Sequence, residues 1–193
     1  MPDTKDPSIV VLKNAGSWEF SWRTIRHTLK SMILSAFTLF HVLLSLLGIG
    51  AGIVVFYGLL TSKRFNFWIS LFLVTTIATS VTGFFFPFHG ITPGHVFGVM
   101  TLIAMAIAVA ARYRYGLAGR WRRAYAVSSV FSLYLNVFVL IVQMFQKVPA
   151  LRELAPTQSE PPFQMTQLAV LVIFLALGTR ATMKFRSEPL STA

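Results

Sequence analysis

Five apolar stretches, separated by short polar segments, constrain what this chain can fold into. They cover residues 33 to 60, 68 to 88, 95 to 111, 124 to 145 and 163 to 180. A helix of about 20 apolar residues crosses the roughly 30 Å hydrocarbon layer of a bilayer. The mean hydropathy of +0.67 and the charged fraction of 12% are atypical of a soluble domain. The sequence therefore predicts an all-α integral membrane protein, a bundle of five transmembrane helices.

The position of these stretches predicts three regions along the chain. Residues 1–32 form an N-terminal tail, residues 33–186 the five-helix transmembrane domain and residues 187–193 a C-terminal tail. Large apolar side chains recur in the first tail at helical spacing, at Trp18, Trp22, Ile25 and Leu29. This spacing predicts an interfacial amphipathic helix, and a loosely ordered tail with basic residues against lipid headgroups is the alternative. Because the first residues lack the layout of a cleavable signal peptide, we expect the mature chain to begin near Met1.

Basic residues concentrate in the segments that would lie on one side of a membrane. The connection from residue 112 to 123 contains five arginines, and further basic residues occur at Lys63, Arg64, Arg180, Lys184 and Arg186. Basic loops tend to remain in the cytoplasm, so we expect a bacterial inner-membrane protein with its N-terminus outside and its C-terminus in the cytoplasm. The basic residues of the N-terminal tail favour the opposite orientation.

The composition excludes several classes of function. The net charge of +11 comes from short clusters that flank apolar stretches, so it indicates membrane topology and a lipid bilayer as partner rather than nucleic-acid binding. The absence of cysteine excludes disulfides, thiolate metal sites, iron–sulfur clusters and covalently attached haem built from this chain. No charged residue falls in the centre of a span, and no protease pattern is present. The sequence thus favours a protein that is neither an ion-coupled transporter nor an enzyme.

Three histidines fall at the same predicted depth. Counting about 20 residues from Lys63 and from Trp68 reaches His41 and His89, and His95 precedes Arg112 by 17 residues. An imidazole can ligate haem iron, copper or zinc, and it can donate a hydrogen bond to a quinone carbonyl. A structural rim of histidines bonded to backbone carbonyls or water is the alternative.

Polar residues within the spans extend this pattern. The spacing of His41, Ser45, Gly48 and Gly52 places them on one helix face, which predicts that His41 points into the bundle. An amide as deep as that of Asn136 needs a bonding partner, and Gln143, Gln164 and Gln167 reach the layer of the histidines. Ordinary helix packing explains the Ser, Thr and Gly positions equally well.

The residues after the second stretch and before the fifth add two weaker indications. Aromatic rings at Phe84, Phe85, Phe86 and Phe88 would suit the faces of a flat ligand, although anchoring and core filling also explain them. Residues 155 to 163 contain three prolines, which predicts an irregular segment, either a lid or a plain connection.

Three functional hypotheses follow. The first is a redox-associated protein that binds haem b or a quinone near its outer face through His41 and either His95 or His89, with Asn136 and Gln143 in support. The second is a non-catalytic subunit or assembly factor of a larger membrane complex. The third is a copper or zinc site formed by the three histidines, with His41 and His95 as principal ligands.

Overall fold

The computed structural model describes residues 7–86 and 93–185, with side chains from residue 24 onward. This part of the chain is helical and contains no strand, and five of its helices are long and apolar enough to cross a membrane. The helices are α1 (Pro7–Thr61), α2 (Asn66–Gly83), α3 (Pro93–Val109), α4 (Arg120–Lys147), α5 (Pro149–Leu154) and α6 (Pro161–Lys184). The all-α prediction is confirmed, and each apolar stretch coincides with a helix over most of its length.

Helix α1 is much longer than its apolar stretch. It runs for 55 residues, and its membrane-length apolar part covers Thr24–Thr61 rather than residues 33 to 60. No proline follows Pro7 until residue 87, so nothing in the sequence removes a backbone donor and ends the helix earlier. The segment that contains Trp18 and Trp22 is helical, and its location at the membrane interface stays a prediction.

The chain divides into two units, Met1–Val42 and Leu43–Ala193, with the boundary inside α1. The first unit contains the long first part of α1, whose side chains from residue 24 to 36 are exposed. The second contains the end of α1 and all the other helices. Within the second unit, α4 packs against α3 and α6, and α3 packs against α2.

Glycines allow the helices of the second unit to approach closely. A Cβ atom at Gly52 would lie 2.6 Å from Leu133 Cδ1 and 2.8 Å from Phe72 Cε2, and one at Gly178 would lie 2.9 Å from Val130 Cγ1. Small residues promote helix association in a bilayer because they bring the backbones together. The Gly48-x-x-x-Gly52 pattern is therefore a packing surface for α2 and α4.

Two groups of segments mark the opposite ends of this unit. Ser62 Oγ donates to Lys184 O at 2.7 Å, and the Arg112 guanidinium donates to Asn66 Oδ1 at 2.9 Å. We call the end formed by residues 62–66, 110–123 and 180–185 the arginine end. The opposite end, formed by residues 84–86, 93–97 and 143–163, is called the histidine end.

At the arginine end, α3 continues into a π-helical turn over Ala110–Arg114. The Tyr115 N–H donates to Ala110 O at 3.1 Å, which closes a wider turn than an α-helix has. Leu117 follows with a φ of 60° and is buried, anchored by a bond from its N–H to Ala111 O at 2.9 Å. π-helical turns are frequent at functional sites, and this one contains Arg112 and Arg114.

At the histidine end, the segment before α6 is more regular than its composition indicates. The short helix α5 lies between the fourth and fifth apolar stretches, and α6 begins at Pro161 within the predicted irregular segment. Proline suits the first turn of a helix because its missing N–H has no intrahelical partner there. Two of the three prolines therefore begin a helix, and residues 155–160 form the actual connection.

Candidate functional site

His95 lies in the first turn of α3, where its imidazole is half-buried. Its ring lies 5.6 Å from the ring of Phe84, centroid to centroid, at an interplanar angle of 47°. Gly98, one turn further along α3, makes this contact feasible: a Cβ there would lie 3.1 Å from Phe84 Cζ. The missing side chain thus leaves room for the Phe84 ring beside α3. Phe85, by contrast, is 71% exposed, and Phe88 lies outside the described residues.

A series of aromatic rings continues from the same helix into the interior. Phe97 packs on Phe138 at 5.1 Å, Phe138 on Tyr134 at 6.1 Å, and Tyr134 on Phe174 at 5.6 Å. Phe174 in turn stacks on Phe56 at 5.6 Å with an interplanar angle of 10°. The rings come from α3, α4, α6 and α1, and they create an apolar surrounding that begins two residues from His95.

Asn136 has a hydrogen-bond partner, as expected for an amide deep within a predicted span. Its Nδ2 atom donates to Thr76 Oγ1 at 3.5 Å, and Thr76 is fully buried. The bond joins α4 to α2 at the limit of hydrogen-bond length. Asn136 therefore has a structural role in joining two helices. Its hydrogen-bond partner is Thr76, whereas the ring beside His95 is that of Phe84.

Asn136 is also the last of four polar residues on one face of α4. Tyr125, Ser129, Ser132 and Asn136 follow each other at intervals of four, three and four residues. The first three are almost completely buried, and their hydroxyl oxygens have no hydrogen-bond partner. A stripe of this kind keeps polar groups in an otherwise apolar core.

The glutamines at the histidine end differ in their surroundings. Gln143 is exposed, whereas Gln167 is 8% exposed and donates from Nε2 to Phe138 O at 3.2 Å. The Gln167 Oε1 atom is buried and has no partner. Gln167 was not among the residues chosen from the sequence for the site. Its position in the second turn of an apolar helix was the available signal.

The other two histidines lie outside the described part of the second unit, which contains His95. His41 is half-buried within the first unit of the chain, and His89 lies outside the described residues. The described residues contain no group of three His, Cys, Asp or Glu side chains arranged to hold a metal ion. The three-histidine site, with its copper or zinc version, stays a prediction.

The connection between α5 and α6 is organised around the Glu160 carboxylate. Its Oε1 atom accepts bonds from the Thr157 N–H at 3.1 Å and the Thr157 hydroxyl at 2.9 Å, and its Oε2 atom accepts from the Ser159 N–H at 3.1 Å. Desolvation acts to raise the pKa of Glu160, but the hydrogen bonds from Thr157 and Ser159 lower it more, and the net shift is downward. The carboxylate also precedes the N-terminus of α6, where negative charge is favourable.

Acidification is expected to loosen this connection. A lowered pKa in the folded state means that the ionised carboxylate stabilises the fold above about pH 4.3 and that this contribution disappears as the pH falls through the folded-state value. Amide hydrogen exchange of residues 157–160 should therefore accelerate on acidification beyond the intrinsic pH effect. Glu160→Gln should show fast exchange already at pH 7, whereas Glu153→Gln, which removes an exposed charge from α5, should not. Equal exchange in both variants would contradict this role.

The protein has no recognisable relative in three comparisons: no family model, curated protein or solved structure matches it.

Proposed function

We propose that the chain is a multi-pass protein of a bacterial inner membrane and that it binds a flat, redox-active ligand, a quinone or haem b, at its histidine end. The five apolar helices support the membrane location. We place the arginine end in the cytoplasm and the histidine end outside, because basic connections stay in the cytoplasm. The first residues of α1 would then lie at the outer surface as an amphipathic helix.

The observation that carries the ligand proposal is the half-buried imidazole of His95 against the Phe84 ring. An imidazole N–H in a partly dry place can donate to a quinone carbonyl, and an imidazole nitrogen is a common axial ligand of haem iron. The rings of Phe84 and Phe97 offer apolar faces to a conjugated ring. The unpartnered Gln167 Oε1 atom adds an acceptor on the same side of the protein.

Of the two ligands, a quinone suits these residues better. One imidazole and one ring suffice to orient a quinone head group, whose long tail partitions into the bilayer. Haem b needs faces of larger area and commonly a second axial ligand. In either version the bound group supplies the redox chemistry, and the chain supplies a hydrogen-bond donor, apolar faces and exclusion of water.

Replacement of His95 tests this proposal. Detergent-purified protein should contain an extractable quinone or show the absorption of haem b, and His95→Ala should lower the affinity for an added short-chain quinone about tenfold, since one hydrogen bond of roughly 1 kcal/mol and a ring contact are lost. His27→Ala, at an exposed position of α1, is the matched control and should bind as the natural protein does. Equal affinity in all three proteins, with no haem absorption, would refute the ligand proposal.

A second candidate function has its own observation. Hydrogen bonds to the Glu160 carboxylate and a bond from Gln158 Nε2 to Val142 O at 3.1 Å order the segment between α4 and α6, in which Val148 and Leu154 are exposed. A fixed surface with exposed apolar side chains suits a partner protein. On this view the chain is a non-catalytic subunit or assembly factor. It would then co-purify with a larger membrane complex, and Leu154→Glu would release it while His95→Ala would not.

A further inference from the structure

Four buried polar atoms at the arginine end have no hydrogen-bond partner. They are the Nε atoms of Arg64, Arg112 and Arg122 and the hydroxyl oxygen of Tyr125. Buried polar atoms are paired in the great majority of cases, so a group of four at one end of a protein requires an explanation. A guanidinium can donate but cannot accept. The missing partner is therefore an acceptor.

A buried aromatic ring lies between Arg64 and Tyr125. The Arg64 guanidinium lies over the Phe185 ring, 5.9 Å from its centroid, and the Phe185 ring is 6.1 Å from that of Tyr125. Both rings are almost completely buried. The Phe185 ring therefore lies between the Arg64 guanidinium and the Tyr125 ring. The Arg64 Nε donor has no hydrogen-bond partner there.

Arg112 and Arg122 belong to two other elements of the arginine end. Arg112 belongs to the π-helical turn, is held by Asn66, and lies close enough to the Tyr125 hydroxyl, as Arg64 does, to act on it electrostatically. Arg122 precedes Tyr125 by three residues on α4, which places the two side chains on neighbouring positions of one face. The connection between α1 and α2, the π-helical turn and the first turn of α4 thus each contribute one of the three cations at the arginine end.

No carboxylate is available to balance these cations among the side chains that the structure describes. The acidic residues of that part are Glu153 and Glu160, and both lie at the histidine end. Partly buried guanidinium groups without a counter-charge are costly, since the low dielectric of their surroundings strengthens their mutual repulsion. An anion that accepts several hydrogen bonds would remove both costs.

We propose that Arg64, Arg112, Arg122 and Tyr125 bind a phosphate group, and we call these four residues the phosphate site. A phosphate has the acceptor oxygens that three guanidiniums and a hydroxyl require, and arginine matches its geometry through paired donors. The site lies where α3 ends and α4 begins, at the level of lipid headgroups if the helices span a bilayer. The phosphate is either the headgroup of an anionic phospholipid or a free ion. The site is independent of the ligand proposed at the histidine end.

The experiment uses the full chain in detergent and has two arms. In the first, inorganic phosphate is titrated and its affinity is measured by calorimetry. In the second, native mass spectrometry compares the retention of phosphatidylglycerol with that of phosphatidylcholine. Arg112→Gln should weaken binding at least tenfold, as expected for loss of a hydrogen bond to a charged group. Arg123→Gln removes the same charge from an exposed position of α4 and should weaken binding at most about fivefold.

Tyr125→Phe provides a second test in case Arg112→Gln fails to fold. It removes one unpaired buried hydroxyl, so the melting temperature without ligand should stay equal or rise, while the affinity in the responsive arm should fall about fivefold. Binding in the first arm alone identifies a free ion, and binding in the second alone identifies a lipid headgroup. No binding in either arm, or equal weakening by Arg112→Gln and Arg123→Gln, would overturn the phosphate site.

Discussion

Replacement of Gly52 by leucine is expected to separate α1 from α2 and α4 and to lower the free energy of unfolding by about 3 kcal/mol or more. The space that a Cβ atom would need is already occupied by Leu133 and Phe72, at 2.6 and 2.8 Å. These neighbours are themselves buried in the core, so they cannot swing away as an exposed side chain would. Overpacking of this kind typically costs about 1–3 kcal/mol, and leucine adds four carbon atoms where one already clashes.

The matched control for Gly52 lies two residues away on the same helix. A Cβ atom at Gly50 would meet nothing within 4 Å, so Gly50→Ala should leave stability unchanged or raise it, since alanine favours a helix more than glycine does. Gly52→Ala should lower stability by about 1–3 kcal/mol. Unfolding in mixed micelles of increasing SDS content, followed by tryptophan fluorescence, measures both changes. Equal stability of the two alanine variants would contradict the packing described here.

The sequence predicted the helices because their signal is local and the same physics acts at every position. An apolar stretch of about 20 residues predicts one helix, independently of the segments that it packs against. The Gly48-x-x-x-Gly52 pattern likewise indicated a close approach, but it could not name the partner. Thr75 on α2 lies opposite Gly48, and Phe72 on α2 and Leu133 on α4 lie opposite Gly52. These neighbours depend on how three helices pack together, which a local pattern does not specify.

Helix ends were less predictable because they depend on single residues and on tertiary contacts. Two prolines that indicated an irregular segment begin α6 instead. The π-helical turn after α3 had no signature in the sequence, yet it helps to bring Arg112 to Asn66. Arginines that suggested a basic cytoplasmic surface are thus partly buried, and the phosphate site follows from that burial rather than from their number.

At the histidine end too, some features of the candidate residues were predictable from the sequence and others depend on tertiary contacts. The depth of Asn136 predicted that its amide would be bonded, and the bond to Thr76 confirms this. The aromatic cluster predicted rings for a flat ligand or for anchoring and core filling, and only the structure shows that Phe84 contacts His95 while Phe85 is exposed. The sequence placed Gln167 only at the level of the histidines, because the hydrogen-bond partners of an amide one or two turns inside a span depend on how the helices pack.

Removal of the Phe72 ring is expected to be the second large perturbation. Phe72 is completely buried, and Phe72→Ala should lower the free energy of unfolding by about 2–3 kcal/mol through the cavity that remains. In a bilayer the cavity dominates, because lipid is about as apolar as the core and little transfer energy is lost. Phe67→Ala, which truncates a ring that is 70% exposed on the same helix, should change stability by less than about 0.5 kcal/mol.

The contact between Phe72 and Gly52 also predicts that the two positions are coupled. Phe72→Leu shortens the side chain at the place where a methyl group on residue 52 would collide with it. The double variant Gly52→Ala with Phe72→Leu should therefore be more stable than the sum of the single changes predicts, by about 1 kcal/mol, as contacting residues in double-mutant cycles are. The same cycle with Gly50→Ala in place of Gly52→Ala should be additive, since residue 50 has no neighbour for a Cβ atom. Additivity at position 52 would mean that α1 and α2 do not meet through these two residues, and that the Leu133 contact alone sets the cost of a side chain there.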